Sequence, residues 1–286
     1  MLNLAIRGHD LSEVTSLESL AEKTQAQGIQ TLQLALGLSF PALLSEGRNI
    51  NPGLGQLVKG TLQRKNIQVG ILSCYINLIH PDRTLREAAL SKFESYLRHA
   101  RYFGAAMVAT ETGNVFPEIR YTTKNFTEAA FEEMVQGIER LTAVGEQQQM
   151  LVGIEPGLNH PLHSLDRTAQ LLQRVDSAYL GIILDPTNLI TSETYRSQAA
   201  LVQEAFDRFG DKIIAVHLKD FQVREDQIIP VDLGTGVIDY PAICQVIAKE
   251  KPGTFVVLEE TKDQAIGNAV SLIQQVLKKE RESCNE

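Results

Sequence analysis

Eight short apolar runs punctuate the chain: 2–6 (LNLAI), 29–34 (IQTLQL), 67–72 (IQVGIL), 105–109 (AAMVA), 151–154 (LVGI), 180–184 (LGIIL), 213–216 (IIAV) and 254–258 (TFVVL). They are nearly continuous rather than strictly alternating, which is how strands covered on both faces read in α/β proteins. Between them the apolar positions change to a helical period. Val14, Leu17, Leu20 and Ala21 share one face, with Asp10 and Glu13 spaced as a cap pair and Gly28 as a stop. Leu85, Ala89, Phe93, Leu97 and Ala100 form a second stripe that ends at Gly104. Ile266, Val270, Ile273 and Leu277 form the last, with Lys278 and Lys279 near the negative end of its dipole. Eight strand–helix units with no linker or compositional break predict an α/β protein made of one (β/α)8 barrel domain over 1–286; an open doubly wound sheet is the rival arrangement.

Loop lengths distinguish the two ends of such a barrel. Helix-to-strand connections are short, as at Gly28, Asn66, Gly104 and 209–211, whereas the strand-to-helix segments 74–83, 110–126, 186–198 and 218–239 are long. Long segments without regular structure in compact domains are usually functional, and these emerge at the strand ends, the face that carries activity in barrels. Five of the six histidines (His9, His80, His160, His163 and His217) also follow strands there, while His99 falls on a helix.

Four strand tips share one feature. LVGI ends in Glu155, LGIIL in Asp185, IIAV in His217 and TFVVL in Glu259, spaced by roughly one strand–helix unit each. Any one of these alone would read as a helix cap or an ion-pair partner. Four in register on the last four strands would converge above the barrel axis, and three carboxylates there repel one another unless a cation neutralises them. An imidazole with three carboxylates suits one divalent metal ion: Mn2+, Mg2+, Co2+ or Zn2+. Glu260 competes with Glu259 for the fourth place, because strand register decides which side chain points inward.

Composition narrows the function classes. A formal charge of -8 disfavours a general nucleic-acid partner, which needs a concentrated positive surface. The start, MLNLAIRGHDLSEV, lacks a basic segment followed by a long apolar one, and no run approaches a membrane span. Cys74, Cys244 and Cys284 are odd in number and show no CxxC spacing, which suggests a reducing, cytoplasmic setting. Cys74 reads as a small core residue. LGTG at 233–236 lacks the context of a phosphate loop and reads as a tight turn leading to a cap at Asp239.

GIEPGLNHPLH, ILDPTN, VHLKD, LGTG before DYP, and VLEET, together with IRGHD and CYINLIHPD, cover essentially the whole chain. In these motifs the sequence resembles the sugar phosphate isomerase/epimerase family of the xylose isomerase-like TIM barrel superfamily, which also holds ketose 3-epimerases, inosose dehydratases and type IV apurinic endonucleases. The resemblance implies a metal quartet at Glu155, Asp185, His217 and Glu259. It further implies that Glu155 and Glu259 exchange a proton with a small carbohydrate substrate (a ketose, sugar phosphate or polyol ketone) through a metal-stabilised enediolate. One departure stands out. Asn188 occupies the place where ketose 3-epimerases usually carry histidine, and an asparagine can hydrogen-bond a hydroxyl but cannot carry charge.

Lys219 and Asp220 are more similar to inosose dehydratases, so a lyase on the same metal site is the alternative. Lys219 would polarise a substrate oxygen or pair with Asp220. His9, with Arg7, and His160, with His163, are further candidates for substrate contact. Ala215 stands where the endonucleases have the aspartate of an Asp-x-His motif, which disfavours a phosphodiester hydrolase. A barrel that binds a ligand without catalysis would leave both glutamates as spectators. Barrel relatives are often homo-oligomers, and this chain is compatible with that by analogy only.

Overall fold

The computed structural model describes residues 2–43, 47 and 49–283; Cys284 and the side chain of Lys279 lie outside the described residues. Its strands are β1 (Asn3–Arg7), β2 (Thr31–Leu34), β3 (Gln68–Ser73), β4 (Met107–Glu111), β5 (Leu151–Glu155), β6 (Leu180–Leu184), β7 (Ile213–Arg224), β8 (Gln227–Val231) and β9 (Phe255–Glu259). β1 to β6 pair in order, β6 pairs with β7, β7 with β9, and β9 with β1, all in parallel. The sheet therefore closes into an eight-stranded barrel, which eliminates the open arrangement. β8 stands outside this ring.

The helices are α1 (Leu17–Ala26), α2 (Leu36–Ser39), α3 (Pro52–Gln63), α4 (Arg83–Phe103), α5 (Glu128–Gln148), α6 (Leu165–Arg174), α7 (Gln198–Phe209), α8 (Tyr240–Glu250) and α9 (Gln264–Ser283). No helix among the described residues is long and apolar enough to cross a membrane. Local chemistry sets many of the starts: Asp82, Thr127, Ser164 and Asp239 each accept a hydrogen bond from a backbone N–H in the first turn. The expected Asp10/Glu13 cap is corrected. Ser16 caps α1 in a reciprocal box with Ser19, Val14 precedes the helix, and Glu13 adopts a left-handed φ of 52°. Asp10 instead holds Arg7. The α4 stripe is also corrected: Leu85 is exposed, and the buried face runs Leu90, Phe93, Tyr96, Leu97, Ala100 and Phe103.

Period-2 geometry explains how the barrel positions a polar layer. Ala5, Ile71, Ala109, Ile183, Ala215 and Val257 belong to a small apolar cluster distinct from the larger one. Two residues further along their strands, on the same inward face, come Arg7, Ser73, Glu111, Asp185, His217 and Glu259. Glu155 follows Gly153 in the same way, and it pairs in register with Glu111.

The expectation of an irregular loop over 218–239 is overturned. β7 runs past the barrel rim to Arg224 and folds back as β8 through a tight turn at Glu225 and Asp226, both at positive φ. The sequence signal was weak because Glu-Asp is an unusual pair for two left-handed positions. The hairpin root is held by Asp220, whose carboxylate accepts hydrogen bonds from the backbone N–H groups of Phe221, Gly234, Gly236 and Ile238. The glycine turn thus wraps Asp220 on its way to the Asp239 cap. A Cβ on Gly236 would collide with the Asp220 carboxylate and the Phe221 carbonyl. Gly236→Ala should therefore cost about 1–3 kcal/mol, measured as a lower midpoint in urea unfolding, by overpacking a fixed backbone. An unchanged midpoint would show that the turn yields.

Candidate metal centre

Glu155, Asp185, His217 and Glu259 are all buried and each offers a ligand atom within 4.8 Å of the others. Asp185 is fixed through Oδ1, which accepts from the N–H groups of Thr187 (2.8 Å) and Asn188 (3.2 Å), leaving Oδ2 for the centre. Glu259 lies on the inward face, opposite Lys219 in register. Glu260 turns away at φ 54° and meets Arg7 Nη2 at 3.0 Å, so Glu259 is the member that joins the cluster.

His217 shows how the ring is aimed. Its Nε2 is 2.9 Å from Gln33 Oε1, and Gln33 Nε2 donates to Tyr75 Oη at 3.1 Å. With Gln33 Oε1 accepting from Nε2–H, Nδ1 is the nitrogen turned toward the carboxylates and the one available as a ligand. Nδ1 lies 2.6 Å from Glu259 Oε2 and 3.4 Å from Glu155 Oε1. Despite such short approaches, Asp185 Oδ2, His217 Nδ1 and Glu259 Oε2 are buried without an aligned hydrogen bond, Asp185 Oδ2 meeting only the Lys219 ammonium as an ion pair at 3.0 Å. Three inward-facing atoms without an aligned hydrogen bond, from a hard-to-borderline donor set, fit a divalent cation.

The electrostatics agree. Burial pushes the Glu155 and Asp185 carboxyls above the usual carboxylate range. Burial acts the same way on Glu259, but His217, Lys219 and Arg7 outweigh it and hold Glu259 well below that range. Burial opposes charge on His217, and the carboxylates of Glu155 and Glu259 overcome this, raising it to about 10. A cation held on Nδ1 would take the place of that proton.

Above the quartet opens a cleft of about 780 Å³, whose lining includes Arg7, Glu111, His160, Asn188, Lys219 and Glu259. Lys219 does not pair with Asp220. Its ammonium reaches Asp185 Oδ2 and Glu259 Oε1, each at 3.0 Å, and donates to Asn188 Oδ1 at 2.9 Å. Asn188 in turn donates to Glu155 Oε1 at 2.8 Å. This asparagine thus links the lysine to the glutamate, and a donor-only lysine fixes which way the amide points. His160 is held by a 2.8 Å contact between Nδ1 and Gly113 O, and its Nε2 lies 3.6 Å from Glu111 Oε2.

The other histidines lie elsewhere. His163 packs on Phe126 with ring centroids 4.0 Å apart, and His80 accepts from the Asp82 N–H. His9 sits in the turn after β1 and does not line the cleft, whereas Arg7 does. Gln33 and Glu111 were not singled out from the sequence. Their signal was the one that exposed Glu155: a polar residue inside an apolar strand run. As an orienting partner of His217, Gln33 has a measurable consequence. Gln33→Leu should weaken Mn2+ binding about 10–100-fold, while Gln33→Glu, which still accepts from Nε2–H, should retain most of it. Equal affinities for wild type and Gln33→Leu in a Mn2+ titration would remove Gln33 from that role.

Residues 20–280 match the model of the xylose isomerase-like TIM barrel family. The chain belongs to that family. By sequence it matches none of the curated proteins. Its family resemblance is clearer in three dimensions. A D-tagatose 3-epimerase-like protein superposes with a TM-score of 0.76 at 15% identity, over 99% of this chain and 99% of that one. Mannonate dehydratase from Streptococcus suis serotype2 gives 0.75 at 11% identity, over 100% of this chain and 95% of that one. IOLI protein with a binding zinc atom gives 0.69 at 15% identity, over 96% of each. At such identities the family neighbours establish the barrel, and the chemistry has to be argued from the site.

Proposed function

We propose that this chain is a divalent-metal-dependent isomerase or epimerase that moves a proton next to the carbonyl of a small carbohydrate. The observation that carries the reading is the buried quartet, whose four ligand atoms lie within 4.8 Å of one another, three of them without an aligned hydrogen bond. Glu155, Asp185, His217 and Glu259 would hold the ion. When bound, it supplies Lewis-acid stabilisation of negative charge developing on a substrate oxygen.

The remaining steps belong to the chain. Glu155, raised by burial and oriented by Asn188, is the proton acceptor for the carbon acid. Glu259, tied down by Arg7, Lys219 and His217, is held ionised here, so to return a proton to carbon it must first take one up from solvent as one of those contacts loosens. Opposite displacement of the two carboxyls from their ordinary range is the arrangement that separates acid and base roles. Lys219 and Asn188 reach hydroxyls of the substrate from the cleft wall, and His160 with Glu111 does so from the far side.

A lyase reading draws on Lys219, a buried cation at the centre of the site, and on the dehydratase among the structural neighbours. Proton removal is common to both. Incubating the Mn2+-loaded protein in deuterated water with ketoses and inososes separates them. An isomerase or epimerase returns sugar of unchanged mass apart from deuterium, while a lyase releases water and yields an enone or dicarbonyl product. No exchange with any member would defeat both.

A further inference from the structure

We infer that the cleft selects an uncharged carbohydrate and rejects phosphorylated or carboxylated ones; this rests on the carbohydrate reading above and narrows its substrate class. Anion recognition needs a free cation or a free set of backbone N–H groups. In this cleft the cations are paired with carboxylates, and acidic groups are in excess.

The cleft has two fixed cations, and both are paired with carboxylates. Arg7 gives Nε to Asp10 Oδ2 (2.7 Å), Nη1 to Glu259 Oε1 (2.8 Å), and Nη2 to Asp10 Oδ1 (2.8 Å) and Glu260 Oε1 (3.0 Å). The Lys219 ammonium, with three donors, has three oxygen partners in Asp185, Glu259 and Asn188. His160 faces Glu111. Arg120 and Lys124, on the neighbouring loop, lie over the Phe116 ring and do not line the cleft.

The backbone route through the loop after the seventh barrel strand is closed as well. In barrels of this class a phosphate often sits on amides of the loops after the seventh and eighth strands. Here the amides of Gly234, Gly236 and Ile238, in the loop that follows β8 of the hairpin, all donate to the carboxylate of Asp220. An internal carboxylate fills the seat an external phosphate would take. The charge balance points the same way. Glu111, Asp226 and Glu260 add to the three carboxylates of the quartet, so acidic groups outnumber the cations even with a divalent ion bound. Ile119, Tyr121, Ile190, Ile228 and Pro230 also line the cleft and offer surfaces suited to the C–H faces of a sugar.

The test is paired. D-fructose, D-tagatose and D-psicose, and the 6-phosphate of each, are titrated calorimetrically into Mn2+-loaded protein. At least one free ketose is expected to bind, and its phosphate to bind at least about tenfold more weakly, with the gap narrowing as salt is raised. A phosphate that binds as tightly as its free sugar, or more tightly, overturns the inference while leaving the carbohydrate reading in place. Binding by neither series, in protein shown to hold Mn2+, defeats the carbohydrate reading and the inference with it.

Discussion

Asp185→Asn is expected to abolish stoichiometric metal binding, with affinity for Mn2+ falling by more than about 100-fold, beyond what loss of an outer partner causes. Asp185 is fully buried, and its Oδ1 is already committed to two backbone N–H groups. Only Oδ2 faces the centre. An amide there removes a negative charge and presents either a neutral oxygen or an NH2 group that repels the ion. The fold should survive, because Lys219 keeps Glu259 and Asn188 as partners. Elemental analysis of purified protein, with circular dichroism as the folding control, decides the matter. About one divalent ion per chain in the wild type and none in the variant is the expected result. A folded variant that retains the full equivalent would show that the quartet is not the metal centre.

Glu155→Gln should lower the rate of deuterium incorporation by about 10²–10⁴-fold, the range typical of removing a positioned general base. The substitution keeps the side chain's shape, and the amide oxygen can still accept from Asn188 Nδ2. It cannot take a proton from carbon. Because Glu155 is also a member of the quartet, the rate must be compared at saturating Mn2+, with bound metal measured in the same samples. Loss of exchange with the ion still bound assigns the base. Exchange that persists with the ion bound would transfer the role to another carboxylate, Glu259 first.

Much of this site was legible along the chain because a barrel strand is a ruler. An inward side chain recurs every second residue, so acidic or imidazole groups at the ends of β5, the β6 run, the inner part of β7 and β9 fall on one level once the strands are parallel and adjacent. The choice between Glu259 and Glu260 needed only the register that Val257 sets. Helix starts were less legible: Ser16 and Ser19 form the α1 box, while Asp10 and Glu13, at a plausible spacing, do other work. Capping depends on local φ and ψ as much as on residue type. The hairpin of β7 and β8 was hidden because its turn uses two residues that rarely take positive φ.

The order of the eight barrel strands, the apolar interior layer and the level shared by the four donors follow from sequence alone, since periodicity and spacing are local properties of the chain. What only the tertiary structure decided is the state in which those donors are held. Gln33 and His217 lie 184 positions apart, and Arg7 and Glu259 lie 252 apart. Closure of β9 against β1 and β7 puts Arg7, Lys219 and His217 around a single glutamate, and that arrangement drives Glu259 down while burial drives Glu155 up. Coulomb energies depend on distance and on exclusion of water, and neither exists for these residues until the sheet has closed.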